Sequence, residues 1–133
     1  MYKRIKKDII DGMGEGGNIV GYLYKDSVKL VIETNYWESG KERTEYYYDK
    51  GAPIFVYNLK YHYKRPIYDS AFNSNEYVLE EERYYFNNKK MIKWIDNKKN
   101  NIVSTNSKFI QTEKRLLEYT LGLIEDASNN FKE

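Results

Sequence analysis

The feature that most constrains the fold is an alternation of apolar and polar residues with period two, which runs from Asn18 to Asp96. This pattern is typical of β-strands with one buried side, and it predicts six strands near 18–25, 28–37, 42–49, 53–65, 76–87 and 90–96. Most connections are short and polar, as at Asp26-Ser27, and the one long connection runs from Pro66 to Asn75. Because parallel strands need a crossover of a dozen or more residues, strands joined this closely pair antiparallel. The sequence therefore predicts an antiparallel meander.

A short aromatic unit recurs at the predicted strand ends. Tyr46-Tyr47-Tyr48-Asp49-Lys50-Gly51 is similar to Tyr84-Tyr85-Phe86-Asn87-Asn88-Lys89, and Tyr22-Leu23-Tyr24-Lys25-Asp26-Ser27 is a fainter copy. Each unit is an aromatic strand end with a polar turn, and an apolar strand start follows it. The unequal spacing of the copies favours successive hairpins of one sheet over a regular solenoid.

The composition favours one folded, sheet-rich domain. The chain has 133 residues, of which 17% are aromatic and 15 are Tyr. A disordered chain lacks such apolar mass, and tyrosine packs well on a half-buried pleated surface. A length of this order corresponds to a single domain, and we therefore predict one domain over 1–133.

Helices are predicted before and after the sheet. The first is a short helix over 2–13, predicted from apolar residues at helical spacing: Tyr2, Ile5, Ile9 and Met13. The second is an amphipathic helix over 107–131 with Ser107 as its N-cap. Its apolar face consists of Phe109, Ile110, Leu116, Leu117, Leu121, Ile124, Ala127 and Phe131. Binding to a membrane surface is an alternative role for this helix; packing on the sheet is the role we expect.

The alternation also predicts which side of the sheet is buried. In the strand 53–65, one side carries Phe55, Tyr57, Leu59, Tyr61 and Tyr63, and the other carries Asn58, Lys60, His62 and Lys64. We expect the helices to cover the aromatic side, because an apolar sheet face must be buried against another element. The predicted fold class is therefore α+β: an antiparallel meander sheet of about six strands, with one face covered by the C-terminal amphipathic helix and the short N-terminal helix.

Charge and motif content exclude several classes of protein. The 22 basic and 20 acidic residues interleave and leave a formal net charge of +2, whereas nucleic-acid-binding domains usually carry a segregated basic excess. With no cysteine, the chain has no disulfide, thiolate metal site or cysteine nucleophile. No apolar run reaches the roughly 20 residues of a membrane-spanning helix. No motif indicates a metal or a cofactor, and we expect neither.

The single histidine, His62, is the strongest candidate for catalysis. It lies on the polar side of its predicted strand, and Glu80 and Glu82 occupy the polar side of the next one. An enzyme that uses His62 with Glu80 or Glu82 as a general acid–base pair is one hypothesis, and it requires these side chains to meet in a concave pocket. Cross-strand pairs of opposite charge also stabilise sheets without any catalytic role, and we therefore predict no catalytic residue.

The segment Tyr61–Asp69 is the strongest candidate for a binding site. It ends a long strand, concentrates aromatic and cationic side chains, and leads into the longest loop. Loops often carry binding residues, and Tyr and Arg dominate interface hot spots. The candidate binding residues are Tyr61, His62, Tyr63, Arg65, Tyr68 and Asp69. The alternative is that these cations stack on tyrosines within the domain and serve only its packing.

The aromatic motifs also support a resemblance. They include Glu45-Tyr46-Tyr47-Tyr48-Asp49-x-Gly51, Tyr61-x-Tyr63-x-Arg65-Pro66-Ile67-Tyr68, and Glu82-x-Tyr84-Tyr85-Phe86 followed by Trp94-Ile95-Asp96. Over residues 18–98 the chain resembles an uncharacterised family of small cell-envelope proteins of Gram-negative bacteria, many of them predicted lipoproteins. The resemblance implies a sheet-rich fold and export to the envelope. It implies no activity, cofactor or catalytic residue.

These observations favour a non-enzymatic binding or interaction module, exported to the periplasm or cell envelope, with a protein or an envelope component as its partner. One alternative is an inhibitor or immunity protein that neutralises a toxin or hydrolase, because such proteins are often small, cysteine-free α+β domains. The enzyme that uses His62 is the less favoured alternative. A cytoplasmic location and the oligomeric state stay open at this point.

Overall fold

The computed structural model describes residues 2–9 and 16–132. In this part of the chain seven strands form a single sheet in chain order, and each strand pairs antiparallel with the next. A helix follows the last strand. The elements are β1 (Tyr2–Ile9), β2 (Gly17–Tyr24), β3 (Ser27–Trp37), β4 (Gly40–Asp49), β5 (Ala52–Tyr63), β6 (Tyr77–Asn87), β7 (Lys90–Ile95) and α1 (Ser107–Ser128). The predicted α+β meander with a C-terminal helix is confirmed, with one strand more than expected.

The additional strand is the segment for which a helix was predicted, and that prediction is wrong. Residues 2–9 form β1, which pairs with β2 from Tyr2 opposite Tyr24 to Ile9 opposite Gly17. Ile5 and Ile9 are four apart, and residues four apart share a face in a strand as well as in a helix, so this spacing did not distinguish the two. The spacing of three between Tyr2 and Ile5 fits only a helix, yet both residues lie in β1. An isolated short helix is marginal in water, whereas the free edge of β2 supplies backbone partners along all of β1. Residues 10–13 of the predicted helix lie outside the described residues.

Three hairpin turns use left-handed backbone conformations. The central pairs are Lys25-Asp26, Lys50-Gly51 and Asn88-Lys89, and both residues of each pair have positive φ. Such turns match the right-handed twist of antiparallel strands. Each hairpin also contains a register shift just before its turn, at Tyr22/Leu23, Tyr47/Tyr48 and Tyr85/Phe86. The aromatic repeat in the sequence therefore corresponds to three similar hairpins, each with a bulge that changes which residues face the core.

The helix α1 begins and ends close to the predicted bounds. Its N-cap is Asn106 and not Ser107, because the Asn106 side chain accepts a hydrogen bond of 2.8 Å from the backbone N–H of Lys108. The helix ends at Ser128, before the predicted end at 131. Its buried residues are Phe109, Leu116, Thr120, Leu123 and Ala127. From the sheet, the Tyr48 hydroxyl donates a buried hydrogen bond of 2.8 Å to the carbonyl of Thr120.

The side of the sheet that α1 covers is the opposite of the one expected. Tyr46, Val56 and Tyr84 lie directly opposite one another on β4, β5 and β6, and all three belong to the buried cluster that includes Phe109 and Leu116 of the helix. Because successive strand residues face opposite sides, the side that carries Phe55 faces away from α1. The bulges explain the error, since they bring apolar residues of several strands to the helix side. Alternation within the strand 53–65 alone does not reveal this contribution.

Candidate functional site

The side of the sheet away from α1 is aromatic, and we call it the aromatic face; it carries Tyr22, Tyr47, Phe55, Tyr57, Tyr61 and Tyr85. Residues directly opposite each other on antiparallel strands share a face. One such row crosses all seven described strands, with a cation at each end and aromatic or apolar side chains between: Arg4, Tyr22, Leu30, Tyr47, Phe55, Tyr85 and Lys93. No helix of the described residues packs on this face.

The rings of the aromatic face pack against one another. The Phe55 ring centroid lies 4.9 Å from that of Tyr85, 5.7 Å from that of Tyr47 and 6.0 Å from that of Tyr57. All four side chains are half-buried. Burial, together with the hydrogen bond to the Glu45 carboxylate, raises the pKa of Tyr47 to about 12. The face is therefore a preformed apolar surface with hydroxyl groups at its rim.

Three carboxylates of the aromatic face are each paired with a cation. The pairs are Asp8 with Lys6 at 3.5 Å, Glu45 with Arg43 at 3.0 Å, and Glu81 with Arg83 at 3.1 Å. The Tyr57 hydroxyl, and next the Arg83 guanidinium, hold the pKa of Glu81 below its ordinary value.

Three further cations of this face have no carboxylate within 4.0 Å among the described residues. Arg4 and Lys93 lie at the two ends of the aromatic row, and Lys41 lies opposite Tyr61 at one end of the face. Two of them lie over aromatic rings: the Lys41 ammonium is 4.7 Å from the Tyr61 ring centroid and the Lys93 ammonium is 5.8 Å from that of Tyr85. The strand positions of this face therefore carry more cations than carboxylates.

The predicted binding residues do not form one site. Tyr61 and Tyr63 lie at one end of the aromatic face, where Tyr61 packs on Tyr77 at 4.9 Å and Tyr63 meets Phe72 edge-on at 5.1 Å. His62 points to the other side of the sheet, as alternation requires. In the loop, Arg65 pairs with Asp69 at 3.5 Å, and Tyr68 is 75% exposed. Two of the predicted binding residues, Tyr61 and Tyr63, thus belong to the aromatic face, whereas the ring cluster around Phe55 was not predicted as a site.

Of the residues of the catalytic hypothesis, His62 and Glu80 lie together and Glu82 lies apart. The His62 Nε2 atom lies 3.6 Å from the Glu80 carboxylate, and both side chains are nearly half exposed. Glu82 lies opposite Asn58, four positions along β5 from His62. Glu82 lines a cleft whose walls do not include His62. The His62–Glu80 pair therefore has the geometry of a surface cross-strand ion pair.

That cleft lies on the helix side of the sheet, next to the apolar core, and has a volume of about 370 Å³. We call it the polar cleft; it is lined by Glu33, Glu42, Asn58, Lys60 and Glu82 from the sheet and by Arg115 and Tyr119 from α1. Four strands and the helix contribute residues to it, so no local sequence motif predicted it. The described residues contain no group of three or more His, Asp or Glu side chains that could hold a metal ion.

Neutral donors of the protein bind the carboxylates of the polar cleft. The Tyr119 hydroxyl donates to Glu33 at 2.6 Å, and the Asn58 amide donates to Glu42 at 2.8 Å. The Trp94 indole N–H and the Tyr84 hydroxyl both donate to Glu82 at 2.9 Å. Burial first, and then the adjacent carboxylates, raise the pKa values of Tyr84 and Tyr119.

Comparisons of the chain with protein-family models, with curated proteins and with solved structures gave no match. Within the described residues, no helix has the length and apolar character needed to cross a membrane.

Proposed function

We propose that this chain is a non-enzymatic binding module whose aromatic face docks onto an acidic surface of a partner protein. The observation that carries the proposal is the aromatic row across the sheet, which no described helix covers. Large uncovered apolar patches with polar rims are typical of protein interaction sites, and Tyr and Arg are enriched in them. The rings are held in place by one another, so docking orders few additional side chains.

The charge of the face supports an acidic partner. Arg4, Lys41 and Lys93 are unpaired among the described residues, whereas every carboxylate of the central rows has its own cation. An interface places groups of opposite charge against each other, which accelerates encounter and suppresses wrong partners. Acidic side chains on the partner would meet Arg4 and Lys93 at the ends of the aromatic row and Lys41 beside Tyr61.

A single-stranded nucleic acid is the competing occupant, because it also combines negative charge with flat apolar groups. Base stacking needs rings whose faces are open to solvent. The Phe55 ring instead contacts three neighbouring rings. The chain's net charge of +2 is also small for a nucleic-acid-binding domain, and both points favour a protein.

Site-specific photo-crosslinking tests the proposal. In cells that express the protein naturally, p-benzoylphenylalanine replaces Phe55 in one sample and Ile110, which is 54% exposed on α1, in the control. We expect a covalent adduct with one protein from position 55 and none of that protein from position 110. Adducts of the same protein from both positions, an adduct with nucleic acid, or an adduct with a second copy of this chain would each overturn the proposal.

Charge reversal then tests the electrostatic part with the purified partner. Lys93→Glu and Lys41→Glu should each weaken binding roughly tenfold at low salt, and the effect should shrink at high salt. Lys114→Glu on the exposed side of α1 is the matched control and should change affinity less than about twofold. Equal effects of all three variants would mean that only the net charge of the chain matters.

The resemblance to envelope proteins supports a second, separate proposal, that the module works in the periplasm or on the cell envelope. Fractionation of the product of the complete gene in its natural host tests this, with an envelope fraction expected. Recovery in the cytoplasmic fraction alone would contradict it.

A further inference from the structure

The polar cleft has unused capacity to accept hydrogen bonds. Each of Glu33, Glu42 and Glu82 accepts from neutral donors of the protein. An ionised carboxylate offers about four lone-pair sites and no donor, so all three keep acceptor sites that face the cleft. The Asn58 amide nitrogen is occupied, since it donates to both Glu42 and Thr44. A molecule that binds to these carboxylates must therefore supply donors.

The charge of the cleft distinguishes these carboxylates from those on the aromatic face. On the aromatic face, each carboxylate of the central rows has a cation within 3.5 Å. In the cleft, neither Glu33 nor Glu82 has a Lys, Arg or His nitrogen within 4.0 Å among the described residues, and Lys60 lies 4.0 Å from Glu42. Lys60 and Arg115 also line the cleft, but neither is in contact with Glu33 or Glu82. A half-buried carboxylate that no cation contacts is well matched by a cation that donates hydrogen bonds to it.

The spacing of the carboxylates indicates a long ligand. Glu33 on β3 and Glu82 on β6 belong to one cross-strand row, with two strands between them. At the usual strand spacing their backbones are about 14 Å apart, and Glu42 lies between them. The rings of Tyr46, Tyr84 and Tyr119 line the cleft as well, and aromatic rings attract cations.

We infer that the polar cleft is a binding site for a linear organic cation with ammonium groups at both ends. The ammonium groups donate to Glu33 and Glu82, and the methylene chain lies along the tyrosine rings. A free polyamine and a pair of lysine side chains on a peptide share this chemistry. This site is separate from the proposed docking face, because it lies on the other side of the sheet.

Nuclear magnetic resonance titration with spermidine tests the inference, because the chain contains two Trp. The Trp94 indole N–H donates to Glu82 in the cleft, whereas Trp37 lies at the β3–β4 turn. We expect a saturable shift of the Trp94 indole signal and a constant Trp37 signal. Magnesium chloride at equal ionic strength is the control and should move neither. Absence of saturation at about 10 mM spermidine, or equal movement of both signals, would overturn the inference.

Two adjacent glutamates provide matched variants, since Glu81 and Glu82 face opposite sides of the sheet. Glu82→Gln keeps an acceptor for Trp94 but removes the charge, and should weaken spermidine binding about tenfold. Glu81→Gln should leave it within about twofold. Equal weakening by both variants would show that spermidine responds only to overall charge.

Removal of the Arg115 charge should change spermidine affinity in the opposite direction. Its exposed guanidinium lines the cleft and repels a bound cation, so Arg115→Gln should tighten spermidine binding a few-fold. If instead the cleft binds glutamate or inorganic phosphate and Arg115→Gln abolishes that binding, the ligand is an anion and the inference is wrong. A blocked Lys-Gly-Lys peptide, titrated in parallel, identifies the source: tighter binding of the peptide indicates a lysine-bearing chain, and tighter binding of spermidine indicates a free polyamine.

Discussion

Replacement of Tyr48 by phenylalanine should destabilise the protein at neutral pH and stabilise it at high pH. Tyr48 is 3% exposed, and its hydroxyl donates to the Thr120 carbonyl of α1 at 2.8 Å. Tyr48→Phe removes this hydrogen bond and keeps the ring. Since a net hydrogen bond contributes about 1 kcal/mol, we expect the free energy of unfolding at pH 7 to fall by about 1 kcal/mol.

At high pH the effect of Tyr48→Phe on stability reverses, because Tyr48 of the unfolded wild-type chain ionises. Burial, and next the neighbouring Tyr119, raise the pKa of Tyr48 far above its ordinary value. The stabilising effect of a raised pKa is fully present below the unfolded-state pKa of about 10 and is lost as the pH rises towards the folded-state pKa, because the unfolded chain releases its phenol proton first. At pH 11 this favours the unfolded wild-type chain by about 1.4 kcal/mol. Phenylalanine has no proton to release, so the stability curves of the two proteins should cross between about pH 10 and 11.

Urea unfolding followed by circular dichroism at pH 7 and pH 11 measures the difference. Other buried tyrosines, such as Tyr46 and Tyr84, also have raised pKa values, but they ionise in both proteins and cancel in the comparison. Tyr68→Phe, at an exposed position, is the control and should stay within about 0.5 kcal/mol of wild type at pH 7. If Tyr48→Phe were as destabilising at pH 11 as at pH 7, Tyr48 would not be held protonated by burial, and the reasoning would fail.

Two further predictions concern glycines and the helix cap. Gly122→Ala should raise the free energy of unfolding by about 0.5–1 kcal/mol, because the site is an exposed helix position where a Cβ meets no atom within 4 Å; Gly40→Ala, whose Cβ would collide with the Tyr61 carbonyl oxygen, should lower it by more than about 1 kcal/mol. Thermal unfolding compares them, and effects of the same sign would contradict the packing described. In urea unfolding, Asn106→Ala should cost about 1 kcal/mol as the loss of an N-cap, whereas Ser107→Ala should cost less than about 0.5 kcal/mol; the reverse order would restore Ser107 as the cap.

The positions of the strands from β2 to β7 could be predicted from the sequence, each bound to within two residues, because alternation and turn chemistry are local properties. The meander follows from the short connections in the same way. The segment 2–9 was predicted wrongly because the four-residue spacing of Ile5 and Ile9 fits a strand as well as a helix, and the pairing with β2 is not visible in the segment itself.

The candidate sites depend on contacts between residues that are far apart in the sequence, so few of their members could be predicted from it. Tyr61 and Tyr63 were predicted from an unusual local composition, while the ring cluster at Phe55 and the carboxylates Glu33 and Glu82 required the register of several strands. The sequence by itself determined that this chain forms an antiparallel sheet of tyrosine-rich hairpins with a C-terminal helix. Only the tertiary structure decided that the helix covers the side of Val56 and leaves the aromatic side open. The reason is physical: three bulges shift the alternation within β3, β5 and β7, and the buried side is the one where the apolar residues of all the strands combine.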